Sequence, residues 1–400
     1  MEKLERLIKI CETPNEKVEL LIKATNRERT EEIKRYFKRI GAEVKEYKTI
    51  PCVYVKVPSE RLKKKIKDLE TKDSRILAMI DRIEESHEVK ATQTRIEKII
   101  DKFDLWGMNA IKRQTAQDIM SDLGAGYNIG IIDTGVDYTH KELENSFGRV
   151  KGYNFIEENN NPMDRNGHGT HVAGTIAGVN VGIAPKAKIY ALRVLNEDGS
   201  GSEADVMRAI EWALENDQGI RIDAVNLSLG SPEASDSFKE ICEIAISRGL
   251  KIIAAAGNEY FGHEYPAAFK GVISVGAVDE NLEHADFSNI ADTNTISAPG
   301  VSIISSFPNN KYAVLSGTSM ATPHVTGTVA LNRIKRGLED LLRKTSERLI
   351  NNTSYPYKNV YGYGLIRADR IAREIAEEER VKNLDKEYER IVKRLVSLEF

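Results

Sequence analysis

Asn128–Asp137 reads NIGIIDTGVD. A run of isoleucines, broken only by Gly130, ends at Asp133 and is followed by a Thr-Gly turn. A strand with one wet face alternates apolar and polar residues, whereas a run that does not alternate is covered on both faces. Lys188–Val194, Ala224–Ser228, Lys251–Gly257 and Val272–Val278 share this texture, and helical stretches lie between them, Glu203–Asn216 most clearly. Buried strands separated by helices predict an α/β fold with a parallel sheet and helices on both faces. In such sheets ligands bind beyond the carboxyl ends of the strands, where Asp133 stands.

Working outward, 400 residues predict two or three folding units. With 41% hydrophobic and 30% charged residues the chain has enough apolar material for a sizeable core. The net charge of −3 excludes a global electrostatic argument for nucleic acid or an anionic membrane. Cys11, Cys52 and Cys242 lie far apart in no ligand spacing, so a disulfide framework or structural zinc is not expected. The start, MEKLERLIKICETPNEK, is charged throughout and lacks the apolar core of a signal peptide. No run of about 18 apolar residues exists. The expectation is a soluble, cytoplasmic protein.

Residues 1–104 hold 26 basic against 21 acidic residues, and the remaining 296 hold 32 against 40. The boundary near residue 100 also shows in pattern. Val18–Ala24 and Cys52–Val57 read as strands, while Glu31–Ile40, Ser59–Leu69 and Arg75–Ile83 read as helices. With the strand-like Glu88–Thr92 they outline a small α+β, ferredoxin-like unit at 1–100. A parallel-sheet unit follows at 101–370. Residues 371–400 lack Gly and Pro and are dense in charge. There Ile371, Ile375, Val381, Leu384, Ile391 and Leu395 make a rough stripe, so a helical extension is expected.

Two further segments carry polar residues in small-residue surroundings. Asn166–Gly178 reads NGHGTHVAGTIAG, with His168 just before a helix, and Ser316–Ala330 reads SGTSMATPHVTGTVA, with Ser319 opening another. A serine becomes nucleophilic only when a base accepts its proton and a buried acid orients that base. Asp133, His168 and Ser319 supply those parts, and a helix N-terminus at Ser319 offers free N–H groups to a developing oxyanion. Taken singly, each has a plainer reading: a strand-end turn, a metal-ligand pair with His171, a helix cap. A zinc peptidase would need Glu beside the first His, where Gly169 stands.

DTGVD, HGTHVAG and GTSMATPH together resemble the three active-site signatures of the subtilisin-like serine proteases, the standard example of the chain order Asp, His, Ser. The resemblance runs from about Trp106 to Ala372, with IAPKAKIYALRVL, AVNLSLG, AAAGNE and YGYGLI also in place. It implies a serine endopeptidase acting on protein or peptide substrates through an acyl-enzyme. Asn258 is then the side-chain donor of the oxyanion hole, partnered by the Ser319 N–H. Gly199, Ser200 and Gly201, with Ser228, Leu229 and Gly230, flank an extended peptide that adds as a strand. Glu264, before Tyr265–Pro266, lies at the floor of the main specificity pocket and favours Lys or Arg before the cut.

The resemblance requires no cofactor for the chemistry. Many subtilisins hold calcium on an Asn-rich loop after the His helix. Here residues 178–185 read GVNVGIAP and leave no room for it, and Glu142 stands where another ligand, Asp, is usual. That site is expected to be absent, with calcium elsewhere left open. The N-terminal unit resembles the family's propeptide in pattern, an intramolecular inhibitor that leaves its last strand in the cleft after self-cleavage within Glu88–Leu105. Lys90, Arg95, Lys98 and Lys102 are the candidate sites if Glu264 selects basic residues. The rival readings are a catalytically silent binding protein whose cleft is permanently filled, and a processing protease dedicated to one partner.

Overall fold

The computed structural model describes residues 2–12, 16–92, 95–99 and 105–396. The unalternating runs form the middle of a seven-stranded sheet. Its order is Ile296–Pro299, Ile273–Val278, Lys251–Ala255, Ala224–Leu227, Asn128–Asp133, Lys188–Arg193, Gly152–Asn154, and every neighbouring pair is parallel. Alternate side chains feed two cores. Ile129, Ile131, Ile189 and Ile253 pack on one face with the helices His168–Ala177 and Thr318–Leu331. Ile132, Leu192, Val225 and Ile252 pack on the other with Glu203–Leu214 and Asp236–Ser247. The expected α/β architecture is therefore the observed one. From Asn128–Asp133 the chain builds first toward one edge and then, at Ala224–Leu227, toward the other. That reversal opens a crevice beyond the carboxyl ends of these two strands.

The N-terminal unit is a four-stranded antiparallel sheet ordered Glu43–Glu46, Cys52–Pro58, Lys17–Ala24, Ile80–Glu85. Helices Glu2–Glu12, Arg27–Arg39 and Ser59–Thr71 bury Leu20, Ile22, Ile33, Phe37 and Leu62 with one face. The other face, through Leu21, Cys52 and Tyr54, joins the core around Leu192 and Phe238. The helix expected over Arg75–Ile83 ends at Met79, and Ile80–Glu85 is an edge strand. Pairing of Ile83 with Ile22 in the sheet overrides the local helical spacing.

Polar contacts fix the two units against each other. Glu84, on that edge strand, accepts from the N–H groups of Asp236 (2.7 Å) and Ser237 (3.2 Å) and from the Ser237 hydroxyl. Ser86 Oγ accepts from Ala204 N at 3.2 Å, and Glu203 N donates to the His87 carbonyl at 2.8 Å. The first turns of two helices of the large unit are thus completed by the small one. The last helix, Ala368–Val396, buries Ile371 and Ala372 in the core and then extends beyond it. Among the described residues no helix is long and apolar enough to cross a membrane.

Candidate active site

Asp133 ends its strand fully buried, and its Oδ1 accepts from His168 Nδ1 at 2.8 Å and from Thr134 N at 2.7 Å. His168 is the first residue of its helix. Gly169 next to it has no room for a side chain, because a Cβ there would lie 2.1 Å from the Gly135 carbonyl. Ser319 sits in the first turn of Thr318–Leu331. Its hydroxyl donates to the Ser228 carbonyl at 2.9 Å and lies 2.6 Å from Thr92 Oγ1. Among the described residues, His168 Nε2 is buried without a hydrogen-bond partner. Of the two links between these three side chains, that of Asp133 with His168 is therefore made, while the serine-to-histidine bond is open and the serine is engaged by Thr92 and Ser228.

The carbonyl of Thr92 lies between two donors. It accepts from Asn258 Nδ2 at 2.6 Å and from Ser319 N at 3.3 Å. The amide of Asn258 is oriented from behind, since its Oδ1 accepts from both the N–H and the hydroxyl of Thr318, each at 2.9 Å.

Glu88–Ala91 lies as the middle strand between Ser200–Ser202 and Leu229–Gly230, antiparallel to both. Ala91 N donates to the Gly199 carbonyl at 2.9 Å and Thr92 N to that of Ser228 at 3.2 Å. All six edge residues named from the sequence therefore border this strand. Glu264 packs between the edge and the oxyanion segment: a Cβ on Gly230 would lie 2.5 Å from its Oε2, and one on Gly257 2.4 Å from its Cγ. Burial, with Glu259 nearby, pushes its carboxyl up to about 7.

Among the described residues, the backbone positions of the basic residues nominated for self-cleavage lie to either side of the one beside Ser319. Lys90 lies two residues short of Thr92 and pairs with Ser200 and Gly230. Arg95 and Lys98 lie beyond it on Arg95–Ile99, which pairs antiparallel with Lys311–Ser316. Lys102 falls outside the described residues. The nomination followed the charge of Glu264, whereas the register of the edge strands brings Thr92 beside Ser319.

Three contributors escaped the sequence reading. Thr92 carries no signal beyond its place at the end of a strand. Thr318 adjoins Ser319 and could have been weighed as its neighbour. Asp164, four residues before His168, is buried and gathers five donors: the hydroxyls of Thr134 and Thr170 and the N–H groups of Asn166, Gly167 and Thr170. It ties the end of the Asp133 strand to the start of the His168 helix. His171 donates from Nε2 to the carbonyls of Ile303 and Ala313, and burial lowers its pKa to about 3. It pins its helix to a neighbouring hairpin.

The Glu142 carboxylate is taken up by hydrogen-bond donors. Its carboxylate accepts from Asn180 N and Nδ2 (2.8 Å each), Tyr312 OH (2.8 Å) and Val181 N (3.4 Å). Donors, rather than further oxygen acceptors, surround it. No group of three or more His, Cys, Asp or Glu is arranged to hold a metal among the described residues.

Residues 124–375 match the profile of the subtilase family (Peptidase_S8). The thermostable alkaline protease of Halalkalibacterium halodurans is 36% identical over 335 residues, covering 82% of this chain and 84% of its own. That span exceeds the 296 residues from 105 onward, so it includes part of the N-terminal unit. Subtilisin Savinase of Lederbergia lenta is 39% identical over 274 residues, 67% of this chain and 98% of its own. Subtilisin DY of Bacillus licheniformis is 38% identical over 259 residues, 62% and 92% respectively.

Proposed function

The chain belongs to the subtilase family and is a subtilisin-like serine endopeptidase; we propose that it is made as a self-processing precursor cut between Thr92 and Gln93. One observation carries this reading: the Thr92 carbonyl accepts from Asn258 Nδ2 and Ser319 N while the Ser319 hydroxyl lies beside the same residue. Ser319 Oγ attacks that carbonyl carbon. His168 takes the hydroxyl proton and gives it to the departing amine of Gln93, while Asp133 holds the ring and stabilises its charge. Asn258 and the Ser319 N–H hold the oxyanion. Water then hydrolyses the ester, with His168 again as base, and residues 1–92 remain in the cleft as an inhibitory product. Movement of the hydroxyl from Ser228 to His168 Nε2 is the step that arms the nucleophile. Silent occupation of the cleft is the reading this displaces.

Mass spectrometry of the wild-type chain and Ser319→Ala over time tests it. Wild type alone should yield a product beginning at Gln93. Cleavage of both chains, or a cut after Lys90, Arg95, Lys98 or Lys102, would overturn the Thr92 register.

Glu264 makes the pocket's choice depend on pH. Protonated, it accepts a neutral side chain such as that of Thr92; ionised, it favours Lys or Arg, because an unpaired charge there is costly. The ratio of kcat/KM for Arg over Leu before the cut should rise as pH increases through about 7, and Glu264→Gln should flatten it. A flat wild-type ratio would remove the role. No cofactor enters this chemistry, and the donors around Glu142 speak against calcium at that corner.

A further inference from the structure

The backbone that crosses the cleft is held on both sides of Ser319. Before it, Glu88–Ala91 lies between Ser200–Ser202 and Leu229–Gly230 and brings Thr92 beside the Ser319 hydroxyl. After it, the same chain enters a second sheet. Arg95–Ile99 pairs antiparallel with Lys311–Ser316, which forms a hairpin with Ile303–Phe307. The backbone register sets Arg95 opposite Ser316, Ile96 opposite Leu315, Lys98 opposite Val314 and Ile99 opposite Ala313, with an irregularity in between. Counted from Gln93, these are the third, fourth, sixth and seventh residues on the leaving side of the cut.

The hairpin is built as a fixed rail. Ala313 and Leu315 are buried in the main core, and His171 ties the carbonyls of Ile303 and Ala313 to the helix that begins at His168. Tyr312 donates its hydroxyl to Glu142 at 2.8 Å. At its far end Ser316 leads through Gly317 straight into the helix that carries Ser319, so rail and nucleophile move as one piece. Among the described residues Arg95–Ile99 is the only strand on the outer edge of Lys311–Ser316.

An uncovered strand edge is a template for another chain. A peptide added there is held through its main chain, whatever its side chains are. The chain's own segment shows that a polypeptide can pass from the cleft onto this edge without a break in direction. A substrate would grip the cleft and the rail with one continuous strand. The enzyme's own segment, once cut from Thr92, keeps only the rail. The longer grip favours the substrate.

We propose that the Lys311–Ser316 edge is a leaving-side binding site that takes the fourth to seventh residues after the cut of an extended polypeptide as an added β-strand. The proposal rests on the reading that the chain crosses the nucleophile at Thr92–Gln93. The peptidase then favours bonds with about seven residues of unfolded chain beyond them, and it spares bonds close to a carboxyl terminus.

Peptides that share one sequence before the cut and end at the second, fourth, seventh or tenth residue after it test the proposal on the self-processed enzyme. Between the second and the seventh, kcat/KM should rise on the order of tenfold, as about two net backbone hydrogen bonds would give. Beyond the seventh it should level off. Cross-linking fixes the place. Under mild oxidation, enzyme carrying Val314→Cys should be trapped by the product of a peptide with Cys at the sixth position, because opposed strand residues lie about 4.5–5.5 Å apart at Cβ. Cys at the seventh position points to the other face and should not trap it. The native cysteines are buried and do not compete. Equal kcat/KM at every length would overturn the proposal and show that Arg95–Ile99 keeps the edge after processing. A length gain without the position-specific cross-link would overturn the assignment to this edge. A processed chain that does not begin at Gln93, with the gain and the cross-link intact, would overturn the reading of the cut and leave the edge standing.

Discussion

Asn258 is gripped from behind by Thr318 and points its N–H group at the Thr92 carbonyl, so a single amide sets the geometry at which negative charge would develop. Asn258→Ala should lower turnover about 10²–10³-fold, the loss known for the corresponding donor in subtilisin itself, with little change in KM. A KM effect without a kcat effect would instead mark it as a binding residue. Asp164 acts one layer farther out. Asp164→Asn turns an amide N–H₂ toward groups that are all donors. Stability should fall by about 2–3 kcal/mol, and turnover should fall with it as the His168 loop shifts. Unchanged melting and turnover would show that the loop needs no such clamp.

Helix ends do much of the positioning. The N-terminus of Thr318–Leu331 delivers the Ser319 N–H to the Thr92 carbonyl, and those of Glu203–Leu214 and Asp236–Ser247 anchor the N-terminal sheet. Glu84 is buried and serves three donors of one helix, so its removal strands them. Glu84→Ala should cost about 1–3 kcal/mol of the contact between the units. Under the proposed self-processing, that loss should appear as faster release of peptidase activity after the cut. An unchanged lag before activity would place the inhibitory hold in the strand Glu88–Ala91 alone. None of this was legible locally: Arg75–Ile83 has helical spacing, and only its place beside Lys17–Ala24 makes Ile80–Glu85 a strand.

Buried ionisable groups make the stability of the whole chain depend on pH. His171 and His324, both buried, have pKa values lowered to about 3 and about 4. Unfolding lets them take up protons below about 6.5, so their contribution is present above that pH and is lost as pH falls. Glu203 is shifted the other way, up to about 7 by burial. Its contribution is full below the usual carboxyl value of 4.5 and is lost as pH rises through 7. The two effects oppose each other between about 4.5 and 6.5. Glu203→Gln should therefore tilt the stability curve upward with pH by about 1.4 kcal/mol per unit in that window. Urea midpoints of the Ser319→Ala chain at several pH values measure the tilt, and parallel curves would refute it.

Chain order and residue type alone determined the sheet class and singled out Asp133, His168, Ser319 and Asn258 as the candidates. These depend on features written contiguously: apolar runs that do not alternate, and short motifs in which each residue has one chemical use. Tertiary structure decided the rest. Which carbonyl meets Asn258 and the Ser319 N–H follows from the register between Glu88–Ala91 and two edges more than a hundred residues away. A carboxylate such as Glu264 attracts attention by its charge, yet backbone hydrogen bonds set where the chain is placed. Asp164, Glu84 and Glu203 belong to the same class, because a buried carboxylate takes its meaning from the donors that folding gathers around it.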